Sequence, residues 1–233
     1  MISEVTFSKM YTSFWNTILI NSRNYVKLVN GSLIENLYPP YTTSINSYNA
    51  YINILAFELF KVSLESDRCL FTEKDIELST QHARNNVLKF ANYYRDIKFP
   101  EFEAISNEVH FIVNKLFTRY CKQSPILQYQ FSGLGLLNAS EADLIYSETL
   151  VEIKSGERKF KIIDFRQILV YLTLNHFSKQ PKIIKYIELF NPRMGIFFRT
   201  SVEEVVYQLT ATSSIEIFEE IQYFLCEIQH FDL

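Results

Sequence analysis

Asp143, Glu152 and Lys154 are the residues of this chain whose types and spacing could do chemistry. A β-hairpin turning at Ser147-Glu148 with a two-residue loop sets Tyr146 opposite Thr149 and, further back, Asp143 opposite Glu152. Directly opposed residues point to the same side of a sheet. Lys154, two residues after Glu152, shares that side, while Val151 and Ile153 point the other way, toward a core. Two carboxylates this close repel one another unless a cation sits between them. A hard ion such as Mg²⁺, with Mn²⁺ as a substitute, takes one or two carboxylates together with waters and phosphate oxygens. It can polarise a phosphate and lower the pKa of a bound water. A neighbouring lysine can orient that nucleophile or offset growing charge, which is the division of labour that phosphodiester hydrolysis needs. A turn one residue longer would undo the facing relation, and Ser147-Glu148 lacks the Asn-Gly or Asp-Gly of the strongest hairpin turns.

The elements that must position these residues can be traced from the hydrophobic pattern. Residues 1–98 are expected to be helical, over 6–29, 44–66 and from Thr72 to about Tyr94, with Asn30-Gly31 and Pro39-Pro40 as breaks. Residues 101–120 carry Phe102, Ile105, Val109, Ile112, Leu116 and Tyr120 on one helical stripe. Extended runs over 126–131, 139–146 and 150–155 follow. Next comes a helix over 165–177, with Asp164 as its N-cap and Gln167 three positions on, as in a capping box. Strands over 183–190 and 196–199 flank a turn at 191–195. Ser201 with Glu204, and Ser213 with Glu216, cap two closing helices.

This order of helix, strand hairpin with Asp143 and Glu152-x-Lys154, helix and further strands resembles the PD-(D/E)XK nuclease superfamily. Ala142 stands where the family usually has proline. Gln167 and Tyr171, one turn apart on a helix face, are similar to the Gln-x-x-x-Tyr element of the RecB-type branch; capping for Gln167 and core packing for Tyr171 are the plainer readings. The resemblance, covering residues from about 101 to 199, implies an α/β fold with a restriction-endonuclease-like mixed sheet in residues 99–233. Residues 1–98 would be a helical region packed on that core. It also implies Asp143 and Glu152 as metal ligands and Lys154, Gln167 and Tyr171 as catalytic or supporting residues. Glu108 of the preceding helix is a further acidic ligand, with Glu101 and Glu103 as rivals. Restriction or phage defence is the setting it suggests.

Arg158, Lys159, Lys161 and Arg166 form a basic cluster beside the motif, placed to contact a substrate's phosphates; a solvated loop is the plainer reading. The 233-residue chain is otherwise acidic, with net charge -3. Bulk electrostatics therefore do not make it a nucleic-acid binder, and a partner protein or a second copy is expected to assist. DNA is favoured over RNA as substrate. The alternative is a non-catalytic subunit that keeps a nuclease-like fold to bind nucleic acid or a partner. His82, His110, His176 and His230 show no metal-ligand spacing. The three cysteines form no CxxC pair, and no glycine-rich phosphate loop is present. A polar N-terminal stretch and the lack of a long apolar run point to a cytoplasmic protein without membrane segments.

Overall fold

The computed structural model describes residues 1–42, 48–90 and 98–231. In chain order come helices α1 (Glu4–Lys9), α2 (Thr12–Ile18) and α3 (Ser22–Leu28), a π-helical turn and the short strand β1 (Glu35–Asn36). Helices α4 (Asn49–Ser66), α5 (Glu73–Phe90) and α6 (Phe102–Tyr120) lead into strands β2 (Ile126–Phe131), β3 (Ser140–Tyr146) and β4 (Thr149–Ile153). Helix α7 (Ile162–His176), strands β5 (Tyr186–Asn191) and β6 (Ile196–Ser201), and helices α8 (Val202–Thr210) and α9 (Ser214–Phe231) complete the chain.

The strands form one six-stranded mixed sheet in the order β1-β6-β5-β4-β3-β2. Only β4 and β5 run parallel, with α7 as their crossover. A strand flanked on both sides must be covered on both faces. On β4, Leu150 packs with Phe7, Trp15, Ile168 and Ile221 on one face, and Val151 packs with Leu55, Ile112 and Leu116 on the other. Helices α1–α3 and α7–α9 thus form one layer, and α4–α6 the other. Glu152 follows Val151 and returns to the α7 side. No helix among the described residues is long and apolar enough to cross a membrane.

The stripe on α6 is buried as expected, and the hairpin register sets Tyr146 opposite Thr149. Other expectations are corrected. The first helix is broken into three, with Tyr11 in the left-handed region (φ 51°) between α1 and α2. The indole N–H of the fully buried Trp15 donates to Phe7 O at 3.0 Å, satisfying a carbonyl at the break. The helices of residues 1–98 are divided between both faces of the sheet, and β1 pairs with β6. The expected helix starts at 44 and end near 94 fall outside the described residues. Strand β5 begins at Tyr186 rather than 183, because Lys185 N and Tyr186 N both turn to Glu148 O. Ser201 Oγ accepts from Glu204 N as the sequence suggests.

One buried cation ties the α4–α6 layer to the end of the sheet where β4 and β5 terminate. Arg193, in the turn after β5, is fully buried. It forms an ion pair with Glu108 of α6, its Nε donates to Ser155 O at 2.6 Å, and its Nη2 donates to Asn53 Oδ1 of α4 at 2.7 Å. Removing one partner of a buried pair strands the other charge, which costs about 3–5 kcal/mol. Glu108→Ala should lose stability of that order in urea unfolding followed by Trp15 fluorescence; a loss below about 1 kcal/mol would mean the pair is not an anchor.

Candidate active site

Strands β3 and β4 part company just before Asp143 and Glu152. Their ladder runs through Tyr146↔Thr149, Ile145↔Leu150 and Leu144↔Val151 and then stops, one step short of Asp143 and Glu152. Instead of a ladder bond, Ile153 N–H donates to Asp143 Oδ2 at 2.6 Å. On the other side of β3, the pairing with β2 skips Gln128 and Asp143, and Gln128 has φ 50°. Residues two apart on a regular strand share a face, yet Ala142 belongs to one core and Leu144 to the other. A bulge-like switch therefore sits at Asp143 and brings its carboxylate to the α7 side, where Glu152 also lies.

Glu152 is nearly buried, with 4% of its surface exposed. Its Oε1 accepts from Lys154 Nζ at 2.6 Å, and its buried Oε2 has no hydrogen-bond partner among the described residues. Lys154 Nζ also donates to Gln167 Oε1 at 2.7 Å. Gln167 Nε2 donates to Tyr171 OH at 2.8 Å, and Tyr171 OH donates to Glu141 O at 3.0 Å. A continuous chain of bonds thus runs from the Glu152 carboxylate through α7 and back to β3. Burial pushes the Asp143 carboxyl up, against the opposing effects of Lys154 and the Ile153 N–H. Glu152 is raised by burial first and by the charge of Asp143 second, with Lys154 opposing. For Lys154, burial works against the charge, but Glu152 and Asp164 outweigh it and raise its pKa.

Asp143, Glu152, Gln167 and Tyr171 line the floor of a cleft of about 510 Å³, and Lys154 is bonded to Glu152 and Gln167 without lining it. Its walls come from α1 (Glu4), from α4 (Asn53, Ile54, Phe57 and Glu58), from Asn86 of α5, and from Gln128 and Glu141 at the strand ends. Among the described residues lining it there are five carboxylates and no lysine or arginine. A larger groove of about 670 Å³ lies elsewhere, around Asn175, Lys182, Tyr186 and Phe218, and contains no paired carboxylates.

Of the ten residues singled out in the sequence, five converge here: Asp143, Glu152, Lys154, Gln167 and Tyr171. Gln167 is not a cap. Helix α7 starts three residues earlier than expected, so Asp164 falls inside its first turn, where its Oδ2 accepts from Lys161 N at 2.7 Å. Glu108 is held against Arg193 and does not line the cleft. Three of the four residues of the basic cluster are engaged in bonds within the protein. Arg158 makes two hydrogen bonds to Asp164, at 2.6 and 2.8 Å, and Lys159 Nζ donates to Asn30 O at 2.7 Å. Arg166 is buried, donating to Ser8 O at 3.2 Å beside the Trp15 ring. Lys161 alone of the four is exposed without a described side-chain partner. Glu4, Asn53 and Phe57 carry no local signal, since they reach the site only through tertiary packing; Glu141, two residues before Asp143, is the one wall residue within reach of the motif.

A cation is implied by the resemblance, and the residues fit one. The orphaned, buried Oε2 of Glu152 beside Asp143 is an oxygen that a hard ion would satisfy. Among the described residues, no three His, Cys, Asp or Glu side chains are grouped as a ligand set. With two protein carboxylates, such an ion would have to complete its shell with water. Comparison with protein-family models, with curated proteins and with solved structures finds no match to this chain.

Proposed function

We propose that this chain is a metal-dependent nuclease of PD-(D/E)XK type, hydrolysing phosphodiester bonds in DNA. The observation that carries the reading is the buried, unsatisfied Glu152 oxygen beside Asp143 at the floor of an open cleft. Asp143 and Glu152 would hold a divalent cation, which supplies a polarised phosphate and a more acidic water when bound. Lys154 keeps its positive charge between Glu152 and Gln167, where it can orient a water or offset charge on a phosphate. Gln167 and Tyr171 fix the lysine's position through their bonds to one another and to the β3 backbone. The Ile153 N–H fixes Asp143 in the same way, so neither charged group has to reorganise when substrate arrives.

Cleavage of plasmid and oligonucleotide DNA in Mg²⁺ or Mn²⁺ tests the reading. Asp143→Ala and Lys154→Ala should each lower the rate by about 10²–10³-fold. Gln167→Ala, acting through the lysine, should lower it by about 10–100-fold. Equal rates in wild type and Asp143→Ala, or no cleavage by either, would favour a non-catalytic nuclease-fold subunit.

The raised carboxyls make a second test. Above the ordinary carboxylate range the metal-free folded chain binds more protons than the unfolded one, so its stability must fall as pH rises through the raised values. The melting temperature in EDTA should therefore fall between about pH 5 and about pH 8.5, and less so in Glu152→Gln. Added Mg²⁺ should oppose the fall, since ionised carboxylates are what it binds. A flat metal-free profile would mean the two acids are not held in an apolar setting.

A further inference from the structure

We infer that the sheet carries a second ligand site, a pocket that takes a phosphate group between Arg119 and Arg199. The pocket has a volume of about 420 Å³ and lies beside the last turn of α6. It shares no lining residue with the cleft around Asp143 and Glu152. Strand register explains why its side chains meet. Glu188 of β5 is paired with Arg199 of β6, and Glu35 of β1 with Phe197 of β6. Tyr186 and Phe197 stand two residues from Glu188 and Arg199 along their strands, so all five share one face. Val151, the partner of Glu188 on β4, identifies that face as the one covered by α4–α6. Arg119 reaches the pocket from the end of α6.

Both arginines are held in place with donors to spare. Glu188 is fully buried, and both its oxygens are engaged: Oε1 accepts from Arg119 Nε and Tyr120 OH, each at 2.7 Å, and Oε2 from Tyr146 OH at 3.1 Å. The ion pair runs through Nε, so the forked end of Arg119 is not used up by the carboxylate. Its guanidinium carbon lies 4.0 Å from the centre of the Phe197 ring. Arg199 stands directly across from Glu188 yet forms no ion pair among the described residues. One of its nitrogens, Nη2, donates to Thr149 Oγ1 at 3.1 Å, and its guanidinium carbon lies 4.6 Å from the centre of the Tyr186 ring. A guanidinium fixed by one bond and one ring loses little freedom when its remaining N–H groups meet an anion. A carboxylate's two oxygens are satisfied by a single fork, whereas a phosphate dianion has oxygens enough for two. Glu35, exposed on the border strand β1, is the remaining acid of the lining and opposes the bound charge.

Titration calorimetry of the full chain tests this with two probes, inorganic phosphate and dTMP, at about pH 7.5 where both are largely dianions. EDTA and constant ionic strength keep cations off the Asp143–Glu152 pair and hold general salt effects fixed. At least one probe should bind with Kd below about 1 mM. Arg199→Gln should weaken it by at least about tenfold, and Arg199→Lys should not restore it, since an ammonium lacks the fork. Glu35→Gln should tighten binding by about two- to threefold. Arg199 and Glu35 are exposed, and circular dichroism checks the fold of each variant. Arg119 is left in place because its loss would strand the buried Glu188. Tighter binding of dTMP would identify the ligand as a phosphate monoester; equal or weaker binding would identify it as free phosphate. No heat from either probe, equal affinity in wild type and Arg199→Gln, or acetate binding as tightly as phosphate would overturn the inference.

Discussion

Burying one carboxylate at the end of a central strand dictates the arrangement around it. An ionised acid taken out of water costs several kcal/mol unless a counter-charge and hydrogen bonds replace the lost solvent. Glu152 receives one lysine, on one oxygen. That lysine in turn needs acceptors for its remaining protons, and Gln167 supplies one. The amide of Gln167 must then be oriented, which Tyr171 does while itself being tied to the backbone of β3. Each partner narrows the freedom of the next, so α7 can pack on the sheet in only one rotation about its axis. The near-complete burial of that helix, from Asp164 to Asn175, is what holds the rotation against thermal motion.

The first 98 residues are bound up with this arrangement rather than appended to it. Ser8 accepts from Arg166, so α1 packs over the start of α7 and carries Glu4 to the cleft. Asn53 accepts from Arg193, so α4 is locked to the turn after β5 and to Ser155, one residue beyond the lysine. The same contacts that build the two cores therefore set the width of the opening.

How much of this was legible in the sequence follows from the range of the interactions. The register at Tyr146 and Thr149, the α6 stripe and the pairing of Gln167 with Tyr171 are local, and local spacing exposes them. The α/β class came with the resemblance that the order of strands and helices carries. The parting of the strands at Asp143 was not visible, because it depends on the backbone of Gln128, fifteen residues away. Arg158, Lys159 and Arg166 resembled a phosphate surface because a cluster of cations gives no sign of which anions or carbonyls it will meet: Asp164, Asn30 and Ser8 lie at separations from 6 to 158 residues. Glu108 sat at the right edge of its helix but was claimed by an arginine from a turn far along the chain. Phe57 was one aromatic among many, and only folding made it a wall.

The left-handed backbone at Gln128 has an effect beyond the cleft. Strand β2 is one border of the sheet, and a straight border offers a row of unmet N–H and C=O groups to any other chain. The kink at Gln128 interrupts that row midway, and Lys61, bonded to the Gln128 side chain, sets a charge beside it. At the opposite border β1 is two residues long and pairs with only Ile196 and Phe197 of β6. The irregularity that turns Asp143 toward its partner acid thus also breaks up the β2 border as a template for a foreign strand.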